Sequence, residues 1–222
     1  MTVAARSAIL PFVLAVFSCL GCGGALHVYA VSNATSAQLL VNEMCANYTR
    51  LRSYRDVGTV WRLDAPAKAP ATFRTLFIRP NKMYLDFHDE YGDHALSWDG
   101  QMARMNVFAH VHEGPIGQAL SWFAGTTSIV PHLVPRMLLG SDRGICANGG
   151  SVVMLDDGPE AAMVEAQTTQ GLVIKLWISK SSKTLRQWRV DDGPKGVRGI
   201  AATYDVQLNP DLQSEFSSAP AL

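Results

Sequence analysis

Residues 72–88 read TFRTLFIRPNKMYLDFH. Phe73, Thr75 and Phe77 fall on one side of an extended chain, with Arg74, Leu76 and Ile78 on the other. Pro80-Asn81 is turn chemistry. After it, Met83, Leu85 and Phe87 alternate with Tyr84, Asp86 and His88. A period of two on both sides of a short turn predicts a β-hairpin with one apolar face.

The same period extends in both directions. Upstream, Thr59, Trp61 and Leu63 share a face. Downstream come Leu96 and Trp98, then Asp99-Gly100, a strong hairpin signal. A returning strand over about 101–112 would place Ala103, Met105, Val107, Ala109 and Val111 together. Five strands joined by short turns predict an antiparallel meander. The last third repeats the pattern. Val152–Leu155 is one strand, Leu172, Ile174, Leu176 and Ile178 mark a second, and 184–190 run back. Ile200, Ala202, Tyr204, Val206 and Leu208 alternate in a further strand.

Helical spacing occurs in three places. In 36–52, Leu40, Met44, Tyr48 and Leu51 form a stripe that Val41 and Cys45 widen, with Ser36 as the N-cap. Pro115 suits a first helical position ahead of Ile116, Ala119, Leu120 and Phe123, and Gly125 suits a stop. Residues 129–139 are apolar but carry Pro131 and Pro135, which predicts short helical turns or a loop packed on the core. The polar tail after Pro210 reads as loose. One short helix cannot cover so large an apolar sheet face. The fold class is therefore α+β: a single strongly curved antiparallel sheet, an unclosed half-barrel wrapped around two or three helices.

The whole chain of 222 residues is 48% hydrophobic and 17% charged, with 19 basic and 19 acidic side chains. That excludes a disordered chain, and it offers no broad positive field for nucleic acid. Residues 1–30 hold one charge, Arg6, before the apolar run Ala8–Leu20, as an export signal does. Two processing points compete. One is cleavage after Ala30. The other is a lipoprotein-type site at Leu20-Gly21-Cys22, with Cys22 lipidated and the membrane reached through its acyl chains. Residues 31–222 then form one domain. Within it remain Cys45 and Cys146, read as a disulfide or as two buried thiols, with the general burial of free cysteine favouring thiols.

The segments SYRDVGTV (53–60), FRTLFIRPNKMYLDF (73–87) and Trp98-Asp99-Gly100 resemble the opening of the lipoprotein-localisation-factor (LolA/LolB-like) superfamily. Leu176-Trp177-Ile178-Ser179-Lys180 with Leu185-Arg186 resembles its recurring Leu-Trp-Ile-Asp hairpin, and Val206-Gln207-Leu208-Asn209-Pro210 its closing strand. The likeness spans roughly 36–215 and lies nearer the uncharacterised periplasmic branch, because no residue matches the carrier's lipid-gating Arg. It implies an unclosed barrel over helices with an apolar cavity lined by Trp61, Leu63, Phe73, Phe77, Leu85, Phe87 and Trp98. It also implies a non-enzymatic, exported bacterial protein, periplasmic or an outer-membrane lipoprotein, that binds a lipid or other apolar molecule. An alternative is a sensor that binds an envelope protein through its sheet edges and the Trp177 and Trp188 faces.

No catalytic motif and no cofactor motif occurs. His110-Val111-His112 places two imidazoles on one side of a strand, a pattern that suits Zn or Cu. His88, Asp89, Glu90, Asp93 and His94 occupy an earlier turn that would have to approach it. Spacing supplies no third ligand, so a polar strand end is the simpler reading.

Overall fold

The computed structural model describes residues 24–65, 69–127, 133–141, 144–146, 150–168, 171–191 and 199–219. The N-terminal segment with Cys22 lies outside them.

Eleven strands form one sheet, β1 (Ser53–Arg62), β2 (Ala71–Ile78), β3 (Lys82–Asp89), β4 (Gly92–Trp98), β5 (Ala103–Val107), β6 (His110–Gly114), β7 (Val152–Asp157), β8 (Ala161–Gln167), β9 (Val173–Ser179), β10 (Leu185–Val190) and β11 (Ile200–Leu208). Their order is β6-β5-β4-β3-β2-β1-β11-β10-β9-β8-β7, antiparallel throughout. Two meanders therefore meet at the β1–β11 pair. The outermost strands, β6 and β7, do not pair with each other, so the sheet is an unclosed half-barrel.

Helices, not strands, close the concave side. α1 (Gly24–Arg50) buries Ala37, Leu40, Val41, Met44, Cys45 and Tyr48 against it. α2 (Ile116–Thr127) buries Ala119, Leu120 and Phe123, and α3 (Leu133–Leu138) buries Val134, Met137 and Leu138. Arg79, in the β2–β3 turn, ties two helix ends together. Its Nε donates to the Leu51 carbonyl just past α1, and its Nη2 to the Leu138 carbonyl of α3. These are carbonyls a helix terminus leaves without internal partners.

The structure departs from the sequence reading at several elements, each with a local cause. α1 starts at Gly24, so Ser36 is helix interior and not its cap. Nothing between Ala25 and Ser36 is Pro or Gly, so nothing stops the helix. α2 runs through Gly125. The short helical turn expected within 129–139 is present as α3, with Pro135 in its first turn, where its missing N–H costs no bond. The single strand over 101–112 is instead β5 and β6, joined by Phe108 and Ala109, both at positive φ (50° and 62°). Neither residue advertises a turn. β8 also escapes sequence reading because its AAMVEAQ is poor in β-formers.

The tail is not loose. It forms α4 (Gln213–Ser218) on the convex side, where Leu212 and Phe216 pack with Leu76 and Tyr84. Cys45 and Cys146 are joined in a disulfide, contrary to the thiol reading. It links α1 to the segment after α3. Among the described residues no helix is long and apolar enough to cross a membrane.

Candidate ligand site on the concave face

Four of the residues expected to line a cavity, Phe73, Phe77, Leu85 and Phe87, are buried together on the concave face. Trp98 is partly buried at their margin. Trp61 and Leu63 do not join them. They face outward and are 38% and 36% exposed. β1 instead buries Tyr54, Asp56, Gly58 and Val60. Gly58 is needed there, because a Cβ on it would lie 2.1 Å from the Phe73 ring and 2.4 Å from the Thr203 carbonyl. The ring of Phe73 fills that space and meets Tyr204 edge-on at 5.2 Å.

A polar network lies inside this apolar face. The Tyr54 hydroxyl donates to Asp56 Oδ2 at 2.8 Å, and the Thr75 N–H donates to Oδ1 at 2.9 Å. Tyr48 of α1 stands edge-on to Tyr54 at 5.5 Å, and its hydroxyl accepts the Leu185 N–H at 3.1 Å. Trp188 Nε1 donates to the Tyr204 hydroxyl at 2.8 Å. Burial pushes the Asp56 carboxyl up to about 7, against the pull of its bonds to Tyr54 and Thr75. Burial, followed by the nearby Asp56 charge, raises the Tyr54 and Tyr204 phenols well above their usual range. Burial likewise raises Tyr48.

Sequence reasoning missed Asp56 as a core residue because an acid on a strand ordinarily marks the wet side. The surviving signal is Tyr54-x-x-x-Gly58-x-Val60, visible only if the strand is started at Ser53.

Cross-strand register shows how the site continues toward the β6 edge. Tyr204 pairs with Gly58, Gly58 with Phe73, Phe73 with Phe87 and Phe87 with His94. A row of rings thus crosses the concave face and ends on a histidine. His110 and His112 share this face on β6 and are exposed, with His112 6.0 Å from the Trp122 ring. His88 Nδ1 is instead engaged with Asp93 Oδ1 at 2.6 Å. Among the described residues no three ligating side chains converge on a metal position.

One residue of the sensor reading needs correction. Trp188 is buried on the concave side and is no contact surface. A groove of about 630 Å³ lies beside α4, bordered by Tyr84, Met102, Arg104 and Phe216, away from the ring row.

No family model and no curated relative matches the sequence. Solved structures do share the fold. The chain is similar to the Pseudomonas aeruginosa MucA/MucB complex structure, with TM-score 0.50 and 8% identity over 83% of this chain and 61% of that one. It is also similar to LprF from Mycobacterium bovis, with TM-score 0.45 and 14% identity over 86% and 96%. A LolA superfamily protein from Nitrosomonas europaea matches with TM-score 0.37 and 12% identity over 81% and 96%. At these identities the likeness is one of fold alone.

Proposed function

We propose that this chain is a non-enzymatic binding protein of the bacterial envelope that holds a lipid or other apolar ligand against the concave face. The observation that carries the reading is the open sheet itself. Its apolar face is covered by helices and not by strand pairing, and a helix can lift without breaking the ladder. Phe73, Phe77, Leu85, Phe87 and Trp98 are the surface an acyl chain would meet. Each CH₂ taken from water contributes about 0.8 kcal/mol, so a long chain supplies ample affinity. Native mass spectrometry of the purified protein, with displacement of a fluorescent fatty acid, tests it. Bound lipid with saturable displacement is the expected result. Neither bound lipid nor probe uptake overturns it.

A second reading, binding of an envelope protein, is supported by β6 and β7, whose outer sides carry no strand partner among the described residues. A stoichiometric partner recovered with a lipid-free protein favours it. Export follows either reading, with anchoring at Cys22 or release after Ala30. Membrane fractionation of Cys22→Ser separates them: an unchanged membrane fraction removes Cys22 as the anchor.

A further inference from the structure

His94 is 1% exposed, and neither ring nitrogen has a hydrogen-bond partner. Buried polar groups are nearly always satisfied, and an unsatisfied one costs stability. His94 alternates with buried Leu96 on β4, so it points to the concave face, at the end of the ring row. Its Nε2 lies 3.5 Å from Asp89 Oδ1, a carboxylate oxygen that already accepts the Tyr91 N–H at 2.8 Å. Phe87 lies on one side at 6.4 Å. On another side stands Phe108, edge-on at 5.0 Å.

Phe108 is 55% exposed and occupies a left-handed conformation together with Ala109. A bulky residue at positive φ is an outlier, where a two-residue hairpin turn ordinarily takes Asn-Gly. The imidazole is therefore closed off by a solvent-exposed ring on a strained hairpin tip. A tip swung outward would uncover His94 without unpairing the rest of the sheet.

We propose that His94 is the polar anchor of the ligand site, taking the hydroxyl headgroup of a neutral lipid whose chain runs along the ring row, with Phe108 as the gate. The inference rests on the lipid reading above. The chemistry selects the headgroup. Whichever ring nitrogen faces the ligand can bond a hydroxyl, which serves as donor or acceptor as that nitrogen requires. A carboxylate or phosphate headgroup would lie beside Asp89, and like charges in contact are disfavoured. A monoacylglycerol fits, and a free fatty acid of the same chain does not.

The experiment compares 1-monoolein with oleate at pH 7.5, each displacing one fluorescent apolar probe from the full chain. Wild type is expected to bind monoolein about tenfold or more tightly than oleate. His94→Leu should lose about tenfold in monoolein affinity, the size of one hydrogen bond, and with it the preference over oleate. His94→Gln, which retains a donor and an acceptor, should keep the preference. Asp89→Asn should raise oleate affinity. Probe binding without a monoolein preference, or a preference that survives His94→Leu, overturns the anchor and leaves the lipid reading standing. A wild type that binds neither lipid nor probe overturns the lipid reading itself.

Discussion

The concave face holds two buried polar side chains in opposite circumstances. Asp56, at the centre beside the β1–β11 seam, has both carboxylate oxygens bonded, to Tyr54 and Thr75. His94, three strands away toward the β6 edge, is equally buried and has no hydrogen bond. The centre is also tied by the Cys45–Cys146 disulfide and by Tyr48 bonding to Leu185. The edge is covered by an exposed phenylalanine on a strained turn. A satisfied buried polar group locks a structure. An unsatisfied one costs stability, and here it is where the proposed ligand would bind.

The strongest way to break this contrast is to cut the tie at the centre. The disulfide spans a sequence separation of 101 residues, for which the chain-entropy relation gives about 5 kcal/mol. Cys45→Ser/Cys146→Ser should lose most of that in urea unfolding, measured against the oxidised protein. An unchanged midpoint would show that the centre does not depend on the link.

Next in size is pH. Asp56 is held at about 7 when folded against an ordinary 3.8. The folded state therefore binds the extra proton in that window. The resulting stability is fully present below pH 4 and is lost as pH rises through 7. At about 1.4 kcal/mol per pH unit the loss is about 4 kcal/mol. Asp56→Asn should flatten the profile between pH 4 and 8. Parallel curves for the two proteins would remove Asp56 as the source.

Tyr54→Phe sharpens the comparison by making Asp56 resemble His94. Removing the hydroxyl leaves one carboxylate oxygen bare and should cost about 2 kcal/mol. The loss should be greater at pH 8 than at pH 5, because the hydroxyl chiefly stabilises the charged carboxylate. Equal losses at both pH values would argue against that role.

The smallest effect has the opposite sign. His94→Leu removes a buried polar group without a hydrogen bond and should raise stability by about 1 kcal/mol, read as a higher melting temperature. A clear drop would mean that the imidazole already contributes to the fold.

Much of the architecture was legible along the chain. The period of two in β2, β3, β9 and β11 and the stripe of α1 show which side chains share a face, because alternation and helical spacing are local geometry. The turn at Asp99-Gly100 was readable for the same reason. The segment 53–63 was not. Val57, Thr59, Trp61 and Leu63 are as apolar as Tyr54, Asp56, Gly58 and Val60, so pattern alone points Trp61 inward. The outcome turned on Phe73, whose ring requires a glycine opposite it, and on Tyr54 and Thr75, which satisfy Asp56.

The amino-acid sequence by itself determined an antiparallel sheet of two meanders and the helix faces that cover it, since both are written as periods of two and of 3.6. Only the tertiary structure decided which face of β1 is buried, that Cys45 meets Cys146, that Leu212 and Phe216 dock outside the sheet, and that His94 lies sealed without a hydrogen bond. Each of these depends on groups far apart in sequence arriving at one place. Burial, and the satisfaction or neglect of a buried polar atom, exists only once they have arrived.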